Sequence, residues 1–160
     1  VQGDIADCIG ASATDVGVFG HGYTYSGHPL GCAVASKVID IYQRDHIFDH
    51  AAKVGGYLQT RLAEFAGHVL VGEVSGVGMI GALERVADKP TKRPFDGMKV
   101  GQYCAKAAEG HGLIIRPLGG NRIAVCPPLI IENSHVDELI EKLGAALDAT
   151  LDWVTAEKLI

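Results

Sequence analysis

At 160 residues, with 48% hydrophobic and 21% charged side chains, the chain has the make-up of one globular domain of ordinary size or of part of a larger protein. Nineteen acidic against fourteen basic residues leave a net charge of −5, and no lysine/arginine cluster offsets it, which argues against a nucleic-acid surface. No apolar run approaches the length of a membrane-spanning helix.

The chain does not begin with Met, and Val1-Gln2-Gly3-Asp4 lacks the charged-then-apolar layout of a signal peptide, so the interior of a longer polypeptide is expected. Cys8, Cys32, Cys104 and Cys126 include no CxxC pair and sit among small or apolar neighbours. They are expected to be buried free thiols and not metal ligands, and reduced cysteines suit the cytoplasm.

Ile5, Ala6, Cys8 and Ile9 have the spacing of a helical turn, and Gly10-Ala11-Ser12-Ala13-Thr14 is expected to be a loop. His21-Gly22-Tyr23-Thr24-Tyr25-Ser26-Gly27-His28-Pro29 follows, rich in glycine and hydroxyls. Leu30, Ala33, Val34, Val38, Ile41 and Tyr42 then recur at helical spacing, so Pro29 reads as the first position of a helix reaching about Asp45. A hydroxyl-bearing loop ahead of a helix N-terminus is a plausible phosphate cradle, because the first turn of a helix has free N–H groups. On spacing alone, a Thr24 hydroxyl that merely steadies a turn explains the loop as well.

A second helix is expected from about Ile47 to Phe65, with Ile47, Phe48, Ala51, Val54, Leu58, Leu62 and Phe65 on one face and Gly67 closing it. The Gly55-Gly56 pair inside it predicts a bend or a close approach to a neighbour. Val69 to Glu84 reads as two strands joined through glycines, and Ala87 to Pro94 as a polar loop. A helix is expected over about 97–110. Leu113 to Leu118 and Arg122 to Cys126, separated by Gly119-Gly120-Asn121, make a hairpin with a solvated turn, whose far end Pro127-Pro128 would demote to a sheet edge. Last comes a helix capped at Asn133-Ser134, with Ser134 and Asp137 spaced as a capping box and an unbroken stripe of Val136, Leu139, Ile140, Leu143, Leu147, Leu151 and Val154. These elements make an α/β domain, helices packed on a small, mostly antiparallel sheet.

The wording of the loop resembles the H-G-[YF]-T-Y-S-G-H-P signature of class III aminotransferases, fold-type-I enzymes dependent on pyridoxal 5′-phosphate (PLP) that include the ω-transaminases. Gly72 to Glu84 is similar to the segment that opens the family's small domain, and Gly112 to Gly119 matches its G-L-[IV]-x-R-P-L-G motif. The resemblance implies that Thr24 holds the PLP phosphate of the neighbouring subunit, with Tyr23 beside it. It implies too that Arg116 pairs with a substrate carboxylate, which guanidinium grips through two parallel hydrogen bonds. Without the resemblance Arg116 is equally an edge charge reaching water, and His21 and His28 are loop hydrogen-bonders.

The resemblance further implies a homodimer with active sites at its interface, and amine and keto-acid substrates with pyruvate the expected acceptor. Residues 1–45 would be the tail of the large cofactor-binding domain with a connecting helix, and 46–160 the C-terminal small domain. The family's Schiff-base lysine and its ring-nitrogen acid lie upstream of the loop in relatives. Lys37, Lys53, Lys89, Lys92, Lys99, Lys106, Lys142 and Lys158 fall on expected helices or in a polar loop, none placed like that lysine, so the 160 residues alone are expected to be inactive. The rivals are a non-catalytic interaction domain derived from this fold and another PLP enzyme, an aminomutase or decarboxylase, on the same scaffold.

Overall fold

The structure, a computed structural model, describes residues 2–17, 20 and 22–160. It divides into two units, Val1–Asp40 and Ile41–Ile160, each described here by itself.

The first unit is made of α1 (Gly3–Val16) and most of α2 (Pro29–Arg44). The loop expected at Gly10 to Thr14 is instead part of α1. Gly10 is the poorest helix former there, and Ala11 and Ala13 are the best. The hydroxyl of Ser12 turns back onto the Cys8 carbonyl at 2.9 Å, which satisfies it without leaving the helix. Pro29 opens α2 as its spacing predicts. No residue of α1 or α2 is buried.

The second unit starts with α3 (Ile47–Ala63), followed by a 3₁₀ turn (Glu64–Gly67). Ile47, Ala51, Val54, Leu58 and Leu62 of the expected face are buried, but Phe48 is exposed and meets the Tyr42 ring edge-on at 5.2 Å. Of the two glycines, Gly55 makes the close approach: a Cβ there would lie 2.7 Å from the Gly78 backbone, whereas one on Gly56 would meet nothing. β1 (Val71–Val77) and β2 (Ile80–Asp88) form the glycine-joined hairpin. The region expected as a polar loop narrows to Lys89 to Lys92, because β2 runs on to Asp88 and pairs with β3 (Arg93–Pro94).

After α4 (Lys99–Gly110), β4 (Arg116–Leu118) and β5 (Arg122–Val125) form the second hairpin. The sheet order is β1-β2-β5-β4, antiparallel throughout. The end of β5 is therefore central and not an edge: Val125 pairs with Gly81 and Ala124 with Arg116, and the prolines follow only after the last ladder position. The closing helix, α5 (Asn133–Ala156), buries its expected stripe except for the half-buried Leu151. Its cap differs from the expected box, because Asn133 is already helical. Glu132 is the N-cap, and its N–H faces His135 Nδ1 at 3.4 Å. Asp137 instead accepts from Tyr57 Oη at 2.6 Å and pairs with Arg61, tying α5 to α3.

The main core joins Leu58 and Leu62 from α3, Leu83 and Ile123 from the sheet, Cys104 and Ala108 from α4, and Leu143 and Leu147 from α5, and a smaller cluster gathers Leu70, Phe95, Val100 and Val154. All four cysteines are free, but only Cys104 is buried. Cys8 and Cys32 sit on helices that enclose no core, and small neighbours in sequence do not supply one.

Candidate cofactor loop and carboxylate anchor

The loop ahead of α2 is built from two successive turns. Ser26 N–H donates to the Tyr23 carbonyl at 3.0 Å and His28 N–H to the Tyr25 carbonyl at 3.2 Å, after which Cys32 N–H reaches the His28 carbonyl at 3.0 Å and α2 begins. Gly27 adopts φ 73°, a left-handed conformation that glycine takes without strain, and this turns the chain into the helix. Thr24 lies exposed at the centre of the first turn, and neither its hydroxyl nor its N–H bonds to another described residue. The N–H groups of Leu30 and Gly31, in the first turn of α2, are likewise without a partner among the described residues. Such fixed donors with no added charge suit a phosphate dianion, so the residues present fit the anionic end of PLP. Tyr23 and Tyr25 are both exposed beside it, and His21 falls outside the described residues.

Arg116 is the first residue of β4, the edge strand, opposite Ala124. Pro117 follows, and its missing N–H suits an edge. The Arg116 side chain is exposed and has no hydrogen bond or ion pair to another described residue. By contrast Arg44 pairs with Asp45, Arg61 with Glu64 and Asp137, and Arg122 with Glu84. An unclaimed guanidinium on a short edge strand is able to take a carboxylate from solution. The neighbouring cleft of about 400 Å³ is lined by Ile115 and Pro117, which alternate with Arg116, and by Lys106 and Glu109 of α4; Arg116 is not part of its lining.

Thr24 lies in the first unit and Arg116 in the second. The lysines sit where expected with one difference, Lys158, which lies in the turn after α5. Lys89, in the expected loop, donates to the Ala66 and His68 carbonyls. Among the described residues no cluster of His, Cys, Asp or Glu is arranged to hold a metal, and no helix is long and apolar enough to cross a membrane.

Arg85, which does not figure among the expected site residues, is fully buried in β2. The signal was present: Gly81, Leu83 and Arg85 alternate onto the same inward face. The expected solvated turn is likewise corrected, because Asn121 is buried and its side-chain amide donates to the Phe95 carbonyl at 2.7 Å.

The family model for Aminotransferase class-III matches residues 6–147. The chain belongs to the class III aminotransferases. These are PLP-dependent enzymes of fold type I. The chain is 44% identical over 141 residues to the putrescine–pyruvate aminotransferase of Pseudomonas aeruginosa, a match covering 88% of this chain and 31% of that protein. It is 39% identical over 159 residues to the probable γ-aminobutyrate transaminase 3, mitochondrial, of Oryza sativa subsp. indica, covering 99% of this chain and 31% of that one. The omega transaminase from Pseudomonas jessenii, solved in complex with PMP, superposes with a TM-score of 0.83 at 37% identity over 97% of this chain and 34% of its own. This class III aminotransferase chain thus spans about a third of the relatives that it matches.

Proposed function

We propose that the intact protein containing this chain is a homodimeric, cytoplasmic transaminase that moves an amino group from an amine or ω-amino acid to a keto acid such as pyruvate. The observation that carries the reading is the Thr24 turn: an exposed hydroxyl and backbone N–H, unclaimed by the described chain, within the signature loop that leads into α2. Relatives named as putrescine–pyruvate and γ-aminobutyrate transaminases support the substrate class. The four free cysteines agree with a reducing compartment. In this reading residues 1–45 end the large domain and 46–160 form the small domain.

Bound PLP supplies the electron sink for the carbon that loses or gains the amino group. Thr24 donates its hydroxyl and N–H hydrogens to the cofactor phosphate of the partner subunit, with Tyr23 alongside, and the N-terminus of α2 favours that negative charge. Arg116 fixes the keto acid by its carboxylate, so that the reacting carbonyl arrives in one orientation. Replacing Thr24 with Ala in the intact protein removes a charge-assisted hydrogen bond worth about 1.5–3 kcal/mol, and so weakens PLP binding roughly 10- to 150-fold. Thr24→Ser keeps the hydroxyl and is expected to restore most of that affinity. Equal PLP dissociation constants for all three proteins would refute the assignment.

A further inference from the structure

Arg85 is a cation in the core that forms no ion pair with a carboxylate among the described residues, and it reaches the hairpin that carries Arg116. Its backbone N–H and its Nε both donate to the Asn121 carbonyl at 3.0 Å, and Nη2 lies 3.5 Å from the Arg122 carbonyl. Asn121 is in turn fixed by its side-chain bond to the Phe95 carbonyl. The turn between β4 and β5, where Gly120 and Asn121 take φ of 70° and 60°, is therefore held from inside the domain at Asn121 and Arg122.

β4 lies at the sheet edge, where it also meets α4. It is three residues long, pairs only with β5 among the described strands, and continues directly into this turn. Its other end is anchored by Ile115 in the core. Arg116 stands between these two anchors.

Burial lowers the pKa of Arg85, and the thiol that its charge feels, Cys104, is itself pushed up by burial, so among the described residues no ion pair offsets the guanidinium. Nη1 makes no hydrogen bond within the described chain. A buried charge of this kind does not earn its place by global stability, since an apolar side chain of similar shape often serves the fold as well or better. What it does supply is directed donors to the turn. From α4 the guanidinium is boxed in by Gly101, where a Cβ would lie 2.7 Å from Nη2 and 3.3 Å from Nη1.

We propose that Arg85 is a positioning residue for keto-acid recognition: by clamping the Asn121 and Arg122 carbonyls it holds the β4–β5 hairpin so that Arg116 meets the substrate carboxylate at a fixed place. This rests on the reading of Arg116 as the carboxylate anchor. Two variants loosen the clamp from different sides, Arg85→Met by removing the side-chain donors while the backbone N–H stays, and Gly101→Ala by displacing the guanidinium.

The experiment is steady-state kinetics of the intact enzyme with pyruvate and an amine, alongside thermal unfolding and PLP content, with Arg116→Ala as reference. Arg116→Ala raises the KM for pyruvate about 30-fold or more, as loss of a charge-assisted pair requires. Arg85→Met and Gly101→Ala each raise it about three- to tenfold, a loss of part of the Arg116 contact through misplacement. The amine KM and PLP content stay unchanged, and Arg85→Met leaves the unfolding temperature level or higher. Arg85→Lys, which keeps one donor in reach, recovers part of the pyruvate KM. The double variant Arg85→Met/Arg116→Ala is no worse for pyruvate than Arg116→Ala alone, because the clamp has nothing left to position.

Wild-type pyruvate KM in both Arg85→Met and Gly101→Ala, with Arg116→Ala impaired, overturns the clamp and leaves the anchor standing. So does equal loss for amine and pyruvate together with a fall in unfolding temperature, which marks a purely structural role. An unaltered pyruvate KM in Arg116→Ala overturns the anchor itself, and this proposal with it.

Discussion

The two units of this chain carry their candidate residues in opposite ways. Thr24 sits in a stretch where neither flanking helix buries a residue, so its geometry comes from local turn chemistry: two i→i+3 hydrogen bonds, a left-handed Gly27 and a proline-started helix. Arg116 sits on a three-residue strand whose place is set by a core drawn from three helices and a sheet. A phosphate contact needs only donors presented together, which a loop supplies. A carboxylate anchor has to be aimed, and aiming needs a packed domain behind it.

The largest test of this contrast is truncation of a large side chain in each unit. Leu143→Ala empties a fully buried site on the core face of α5, and is expected to cost about 3–5 kcal/mol in denaturant unfolding. In the 160-residue chain by itself, Leu30→Ala on exposed α2 is expected to stay within about 0.5 kcal/mol. Equal costs would erase the distinction. A subtler test lies in one dipeptide. Gly55→Ala drives a methyl group into the Gly78 backbone and is expected to destabilise by about 1–3 kcal/mol, whereas Gly56→Ala faces open space and is expected to stabilise α3 by up to about 1 kcal/mol. Opposite signs in the same assay sharpen the claim that the second unit is fixed by close packing.

The helices and both hairpins of the second unit were legible because a stripe such as Val136 to Val154 has one physical meaning, burial on one side. The sheet order was not, because strand neighbours are chosen by long-range pairing. Pro127 and Pro128 suggested an edge where β5 is central. The small residues of α1 misled in the opposite direction, since alanine and serine occur in loops and helices alike. Thr24 and Arg116 were found through the wording around them, and neither spacing nor charge alone separated them from ordinary turn and edge residues. Arg85 was missed because a charge between Leu83 and Val86 looks like a strand-end residue until the alternation is followed inward.

The smallest expected effect is a pH response at the surface of the second unit. Asp88 accepts hydrogen bonds from the Thr91 hydroxyl and from the Thr91 N–H at 3.1 Å, which hold its carboxyl below the usual carboxylate value. A depressed folded-state pKa contributes stability that is present above the unfolded value, near pH 4, and is lost as pH falls through the folded value. Asp88→Asn is therefore expected to flatten the acid limb of the stability profile below about pH 4 and to leave its neutral slope unchanged. An unchanged acid limb would show that the turn at Lys89 to Lys92 does not depend on that carboxylate.

The central claim, that Thr24 serves its partner's cofactor, is tested most directly by hybrid dimers of the intact protein. One subunit carries Thr24→Ala and the other lacks the cofactor lysine. If Thr24 acts across the interface, the hybrid regains one site with wild-type PLP affinity and about half the activity per dimer, because that site draws its lysine from the first subunit and its threonine from the second. A hybrid with no such site, its cofactor affinity as weak as in the Thr24→Ala homodimer, would contradict the account.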